Sequence, residues 1–189
     1  MKKQHKPYTM LSLSMLFATV YMVSYLTRIN FGAIVSEMER ATGIGKDLLS
    51  LSLTGSFITY GAGQIISGIA VDRISPKKLI SLGLTVTAVT NLLMPLCGSP
   101  YLMLAVWCVN GFAQSFMWPP IVKMLSQLVN EEEYKQASVI VSWGCSVGTI
   151  LVYLLAPAVI ALLNWRWVFL LSRFPLWLTS CTVMTFSLQ

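Results

Sequence analysis

Six apolar stretches dominate the chain and leave few folds open to it. They cover approximately residues 8–35, 47–71, 79–97, 101–129, 137–163 and 167–189. The connections, at 36–46, 72–78, 98–100, 130–136 and 164–166, are short. At about 1.5 Å of rise per residue, each stretch can cross a hydrocarbon layer of roughly 30 Å. None alternates apolar and polar residues as a membrane strand does. In lipid, backbone polar groups must be satisfied internally, which leaves helices. The expected fold is all-α: a six-helix transmembrane domain over residues 8–189, preceded by a polar tail at 1–7.

Composition agrees. The chain is 56% hydrophobic and 11% charged, against about 25% charged in an average soluble domain. The net charge of +6 would suit nucleic acid, but its distribution has another explanation. With a cytoplasmic N-terminus, the inner side holds Lys2, Lys3, Lys6, Arg73, Lys77, Lys78, Lys123 and Lys135. The outer side holds only Arg40, Lys46 and Arg166. This is the positive-inside asymmetry, and it makes the lipid bilayer the partner with no need for nucleic acid. A signal peptide would have a shorter apolar core and a small-residue cleavage site, so the first stretch reads as a retained helix.

Catalytic and metal chemistry find little support. His5 is the single histidine, and Cys97, Cys108, Cys145 and Cys181 form no CxxC pair. Thiols so placed pack as small hydrophobes. No nucleophile with a nearby base, intramembrane acid pair or phosphate-cradling glycine loop is present, so neither an enzyme nor a cofactor is expected.

Local signals refine the helices. Asn130 followed by Glu131, Glu132 and Glu133 reads as a capped helix start. Cys97-Gly98-Ser99-Pro100 marks a turn between the third and fourth helices. Pro119, Pro120 and Pro157 predict kinks in the fourth and fifth. Gly55, Gly61, Gly63 and Gly68 on the second helix predict close packing, as do Gly144 and Gly148 on the fifth.

Arg28 is the outstanding residue. A central arginine is unfavourable by about 2.5–3.5 kcal/mol in a membrane helix. It must either snorkel outward, over the seven residues left in its segment, or face a polar cavity. Tyr21, Ser24, Tyr25 and Arg28 follow i, i+3, i+4, i+7 spacing and share one face. Two phenols, a hydroxyl and a guanidinium suit an anionic ligand better than lipid. Tyr60, Gln64 and Ser67 form a comparable face on the second helix, and Asn110 and Gln114 on the fourth. For these, interhelical hydrogen bonding is the competing reading.

Gly68-Ile-Ala-Val-Asp72-Arg73-Ile-Ser-Pro-Lys77-Lys78 resembles the loop signature of the major facilitator superfamily, with Ser75-Pro76 in place of the usual Gly-Arg. There the glycine allows close helix approach, Asp72 and Arg73 make charge contacts, and Lys77 and Lys78 keep the loop inside. Tyr21, Tyr25, Leu26, Arg28, Asn30 and Phe31 resemble the first helix of its organophosphate:phosphate antiporter branch. Gly111-Phe-Ala-Gln114 with Trp118-Pro-Pro resembles the fourth, and Trp143-Gly-Cys145 the fifth. The resemblance implies a substrate-phosphate arginine at Arg28 and cavity tyrosines at Tyr21 and Tyr25. Gln64 stands where those transporters usually carry a lysine. No histidine lies near Val147, and Tyr134-Lys135 replaces a common Glu-Arg pair. Fewer cations hold a dianion less well, which points toward a less charged anion such as a carboxylate.

The expected activity is secondary transport of a small organic anion by alternating access. Arg28 would anchor the anion, and Tyr21, Tyr25, Gln64, Asn110 and Gln114 would line its path. Superfamily members have two six-helix halves around a midplane site. The expectation here is an N-terminal half, joined by a second half on another polypeptide or by self-association. A bacterial inner membrane is the expected setting. A membrane sensor of sugar phosphate and a truncated, inactive remnant are the alternatives.

Overall fold

The computed structural model describes residues 9–172 together with Thr179 and Val183. The tail at 1–7, Cys181 and most of the sixth apolar stretch lie outside the described residues. Helix α1 spans Met10–Thr42, α2 Lys46–Ala70, α3 Pro76–Leu93, α4 Pro100–Gln114, α5 Trp118–Leu128 and α6 Glu131–Leu162. A 3-10 turn, Met94–Leu96, extends α3, and residues 165–172 are again helical.

The helix ends follow local chemistry. Thr9 caps α1, its hydroxyl accepting from the Ser12 N–H at 3.3 Å, and Gly43 ends it in the left-handed region at φ 71°. Only glycine enters that conformation without a steric penalty. Ser75 caps α3, with Pro76 in the first turn where its missing N–H is harmless. Asn130 and Glu133 form a reciprocal capping box at the start of α6, at 2.8 and 3.1 Å. The helix start expected at Asn130 is therefore observed, although α6 begins six residues before its apolar stretch.

The expected kink in the fourth stretch is a full break. The chain passes through a turn at residues 115–117, held by bonds from the Ser115, Phe116 and Met117 amides to carbonyls three residues back. Trp118-Pro119-Pro120 then opens α5. Proline removes the amide that would bond four residues back and crowds that carbonyl. The Ser115 carbonyl, deprived of Pro119 as a donor, instead accepts from Gln64 Nε2 at 3.4 Å. α6 runs through Pro157 without ending there, although the proline supplies no amide to the carbonyl four residues back.

Among the described residues, three helices are long and apolar enough to cross a membrane unaided: Met10–Thr42, Pro76–Leu96 and Glu131–Leu162. Six were expected. In α2, serine, threonine and glycine dilute the apolar residues; the fourth stretch is divided; and the sixth lies mostly outside the described residues.

Glycine sets the helix pairing. A Cβ on Gly144 would strike the Ala18 carbonyl of α1, and one on Gly148 would lie 2.6 Å from the Met22 carbonyl oxygen. Both contacts advance in the same direction, so α1 and α6 run parallel. In the same way α2 lies parallel to α4, with Gly55 against Leu104 and Cys108 and Gly63 against Phe112 and Ser115. Gly111 abuts the Ser56 backbone. The packing expectation holds for Gly55, Gly63, Gly144 and Gly148. It fails for Gly61 and Gly68, where a Cβ meets open space among the described residues.

Two apolar clusters fill the bundle. One gathers Phe17, Val20, Leu84, Ile121, Leu125 and Val141. The other gathers Phe31, Ile34, Met38, Leu49, Trp107 and Phe169, with the Phe31 and Trp107 rings 5.1 Å apart. Between them along α1 lie the buried polar residues Ser24, Thr27 and Asn30. Replacing Gly144 by leucine should force α1 and α6 apart at a cost of about 1–3 kcal/mol. A lowered unfolding midpoint in detergent would register it. Gly68→Leu should leave that midpoint nearly unchanged.

Candidate functional site

Arg28 projects from α1 toward α2. Its guanidinium carbon lies 3.6 Å from the centroid of the Tyr60 ring. Phe57 stands at 5.6 Å and Tyr25 at 5.5 Å. An aromatic face attracts a cation, more strongly where water is excluded. The side chain is half-buried, and its Nε is buried without a hydrogen-bond partner. Among the described residues no carboxylate pairs with it. Stacking occupies the flat face of a guanidinium and leaves its N–H edge for an acceptor.

Tyr21 and Tyr25 continue the aromatic surface along α1. Their rings are 5.1 Å apart, edge to face, and Tyr21 also meets Trp118 of α5 at 5.3 Å. Tyr21 is buried and Tyr25 half-buried. Gln64 lies one turn beyond Tyr60 on α2 and is tied to the Ser115 carbonyl. Tyr21, Tyr25, Arg28, Tyr60 and Gln64 thus belong to one seam formed by α1, α2 and the start of α5.

Asn110 and Gln114 sit elsewhere, between α4 and α1. Their exposures are 0% and 2%. Gln114 Nε2 donates to the Ser24 carbonyl at 3.1 Å and to Thr27 Oγ1 at 3.2 Å. The Ser24 hydroxyl donates in return to Gln114 Oε1. Asn110 Nδ2 donates to the Thr27 carbonyl at 3.3 Å, while its Oδ1 has no partner. These are the interhelical bonds that formed the competing reading. Ser67 is fully buried on α2 with an unpartnered hydroxyl.

The residues of the loop signature gather at the opposite end of α2 from Lys46. Lys123 of α5 pairs with Asp72 at 2.9 Å and donates to the Val71 carbonyl at 2.7 Å. A cation at a helix C-terminus complements the dipole there. Arg73 and Lys78 are exposed and Lys77 is half-buried. Among the described residues Gly68 makes no close approach to a neighbouring helix, contrary to expectation. Sequence reasoning named neither Phe57, which looks like any lipid-facing hydrophobe, nor the Asp72–Lys123 pair, which joins residues far apart in the chain. It also passed over Asn91 of α3, which bonds to α1.

A description of the Major Facilitator Superfamily matches residues 17–179. The chain belongs to this superfamily. It is 27% identical, over 87% of its length, to a probable hexose phosphate transport protein of Chlamydia trachomatis, of which it covers 36%. It is 28% identical, over 77% of its length, to the membrane sensor protein UhpC of Salmonella typhimurium, covering 33% of that protein. The glycerol-3-phosphate transporter of Bacillus subtilis is likewise 28% identical over 77% of this chain, with 34% of that protein covered. The chain therefore spans about a third of these relatives. In fold it resembles a bacterial homologue of the human lysosomal transporter Spinster in an inward-facing, unoccupied conformation, with a TM-score of 0.80 at 14% identity. That match covers 96% of this chain and 43% of the other. The superfamily assignment and the apolar helices make this an integral membrane protein.

Gln114 carries the most interhelical bonds in the seam between α4 and α1. Gln114→Leu should destabilise the fold by about 0.6–2 kcal/mol, the range of membrane interhelical hydrogen bonds. Gln64→Leu, which removes one long bond, should cost less. Unfolding midpoints in detergent compare the two directly.

Proposed function

We propose that the chain forms the N-terminal half of a secondary transporter for a small organic anion, working by alternating access, with Arg28 as the anion anchor. One observation carries this reading. A permanent cation sits half-buried in an apolar bundle, stacked on Tyr60, with a free Nε and no described carboxylate beside it. The aromatic faces stabilise such a charge but do not neutralise it, and an incoming anion would supply the missing counter-charge. Tyr21, Tyr25 and Gln64 extend the same surface, and Asn110 and Gln114 back it from α4.

The relatives named for hexose phosphate and glycerol-3-phosphate support an organic anion of the phosphate-ester kind. Gln64 in place of a second cation favours a lower charge, so a monoanion or carboxylate is the more specific reading. The relative named as a membrane sensor supports a second possibility, ligand binding without flux.

The rest of the assembly follows from the same reading. Six helices cross the bilayer with the N-terminus in the cytoplasm. Asp72, Arg73, Lys77, Lys78, Lys123 and Lys135 gather at the cytoplasmic end. Ile58, Ile65 and Ile69 on α2, exposed by 61–70%, await a second six-helix half or lipid. The membrane is a bacterial inner membrane.

Uptake of labelled glycerol-3-phosphate, hexose phosphate and small carboxylates into cells tests the proposal. Arg28→Lys keeps the charge and loses the planar fork, so uptake should fall roughly ten- to hundredfold, equivalent to about 1.5–3 kcal/mol. Normal uptake by that variant would remove Arg28 from the mechanism. Binding without uptake in the unaltered protein would favour the sensor. Gln64→Lys should shift preference toward phosphate esters by about tenfold, the effect of a second cation within a few ångströms. An unchanged ranking of substrates would refute the charge argument.

A further inference from the structure

Asn91 of α3 lies outside the seam that holds Arg28, yet its side-chain amide bonds Thr27 and Asn30, two residues of α1 close to Arg28 in sequence. Its Oδ1 accepts from Asn30 Nδ2 at 2.7 Å. Its Nδ2 donates to the Thr27 carbonyl at 3.3 Å and to the Thr87 carbonyl of its own helix at 2.9 Å. Asn30 Oδ1 in turn accepts from the Phe31 amide at 2.9 Å, and its Nδ2 also reaches Ser172 Oγ at 3.4 Å. Asn91, Asn30 and Thr27 are each 0% exposed.

The geometry points to Asn91 as a positioning residue for Arg28, setting the rotation of α1 so that the guanidinium faces α2 and the aqueous path. This rests on the reading of Arg28 as the anion anchor. Thr27 and Asn30 flank Arg28 in sequence. At about 100° per residue, Thr27 and Asn30 lie roughly 60° apart around the helix, while Arg28 lies roughly 130° from their midpoint. Holding those two residues against α3 therefore turns Arg28 away from α3. One bond would leave α1 free to pivot; bonds to Thr27 and Asn30 together fix its rotation. Asn110 and Gln114 grip α1 from α4 at Ser24 and Thr27; Asn91 adds the hold from α3 and bonds Asn30, which neither of them reaches. In a water-poor interior, breaking the Asn91 bonds strands polar groups of α1, and a small rotation that relieves them swings Arg28 toward lipid.

Cysteine accessibility reads this rotation without a known ligand. In the whole protein in cell membranes, Cys97, Cys108, Cys145 and Cys181 are each replaced by alanine and Arg28→Cys is introduced. A hydrophilic thiol reagent reacts with a hydrated thiolate and poorly with a thiol in acyl chains. Arg28→Cys should label readily. Adding Asn91→Leu, or Asn30→Ala from the other side of the bond, should slow labelling about tenfold, within the coupling range of residues sharing one network. Thr87→Val alters another buried site on α3 whose hydroxyl has no partner, and it should leave the rate unchanged. General loss of structure would expose the site and raise the rate, opposite in sign to the expected effect. Asn91→Asp keeps the acceptor for Asn30 and removes the donor to Thr27; it should slow labelling by a smaller factor. Unchanged or faster labelling in the Asn91 and Asn30 variants would overturn the positioning role while leaving the anchor reading intact. Failure of Arg28→Cys to label with Asn91 present would overturn both.

Discussion

A polar side chain inside a bilayer must find its partner within the protein, on its own helix or on another, because lipid offers none. That constraint organises the middle of this bundle. Ser24, Thr27 and Asn30 of α1 lie between two apolar clusters, and each is met by a polar side chain from α3 or α4. The apolar clusters supply most of the buried surface, but hydrophobic contact has no direction and would tolerate rotation of α1. Amide hydrogen bonds do not. The girdle of Asn91, Asn110 and Gln114 gives α1 its orientation, and the orientation of α1 decides what surrounds Arg28.

Close backbone approach works alongside it. Lipid chains are as apolar as leucine, so membrane helices associate where small residues let their surfaces meet. Gly144 and Gly148 bring α6 onto α1, and Gly55, Gly63 and Gly111 bring α2 onto α4. Both pairs are parallel, so in each the intervening chain returns to the same end of the bundle before the second helix begins. The proline pair at residues 119–120 separates α4 from α5 and frees a carbonyl that Gln64 then takes. The break places Trp118 against Tyr21. A local defect in helix geometry thus contributes to the wall of the candidate site.

Asp72 and Lys123 show the same economy at the end of α2. A single ammonium group neutralises the loop carboxylate and closes the helix C-terminus through the Val71 carbonyl. Such a contact ties α2 to α5 at the bundle surface, where both groups remain close to water. Its energy is modest for that reason, and its geometric effect is to hold the loop signature beside α5.

The sequence by itself determined the all-helical class, the superfamily, the capped start of α6 and the presence of a stranded cation in the first apolar stretch. These depend on composition, local spacing and short motifs, which act over one or two turns. It also marked Gly144 and Gly148 as packing positions. It could not tell Gly55 and Gly63, which touch α4, from Gly61 and Gly68, which meet no neighbour among the described residues, because that depends on which side of α2 meets a neighbour. Nor could it separate Gln64, beside the arginine seam, from Asn110 and Gln114, bound into the bundle. Only the tertiary structure joined Arg28 to Tyr60 and Phe57, Asp72 to Lys123, and Asn91 to Asn30. Those contacts bridge 29 to 61 positions in the chain, and their partners are chosen by helix rotation and close approach, which no local pattern encodes.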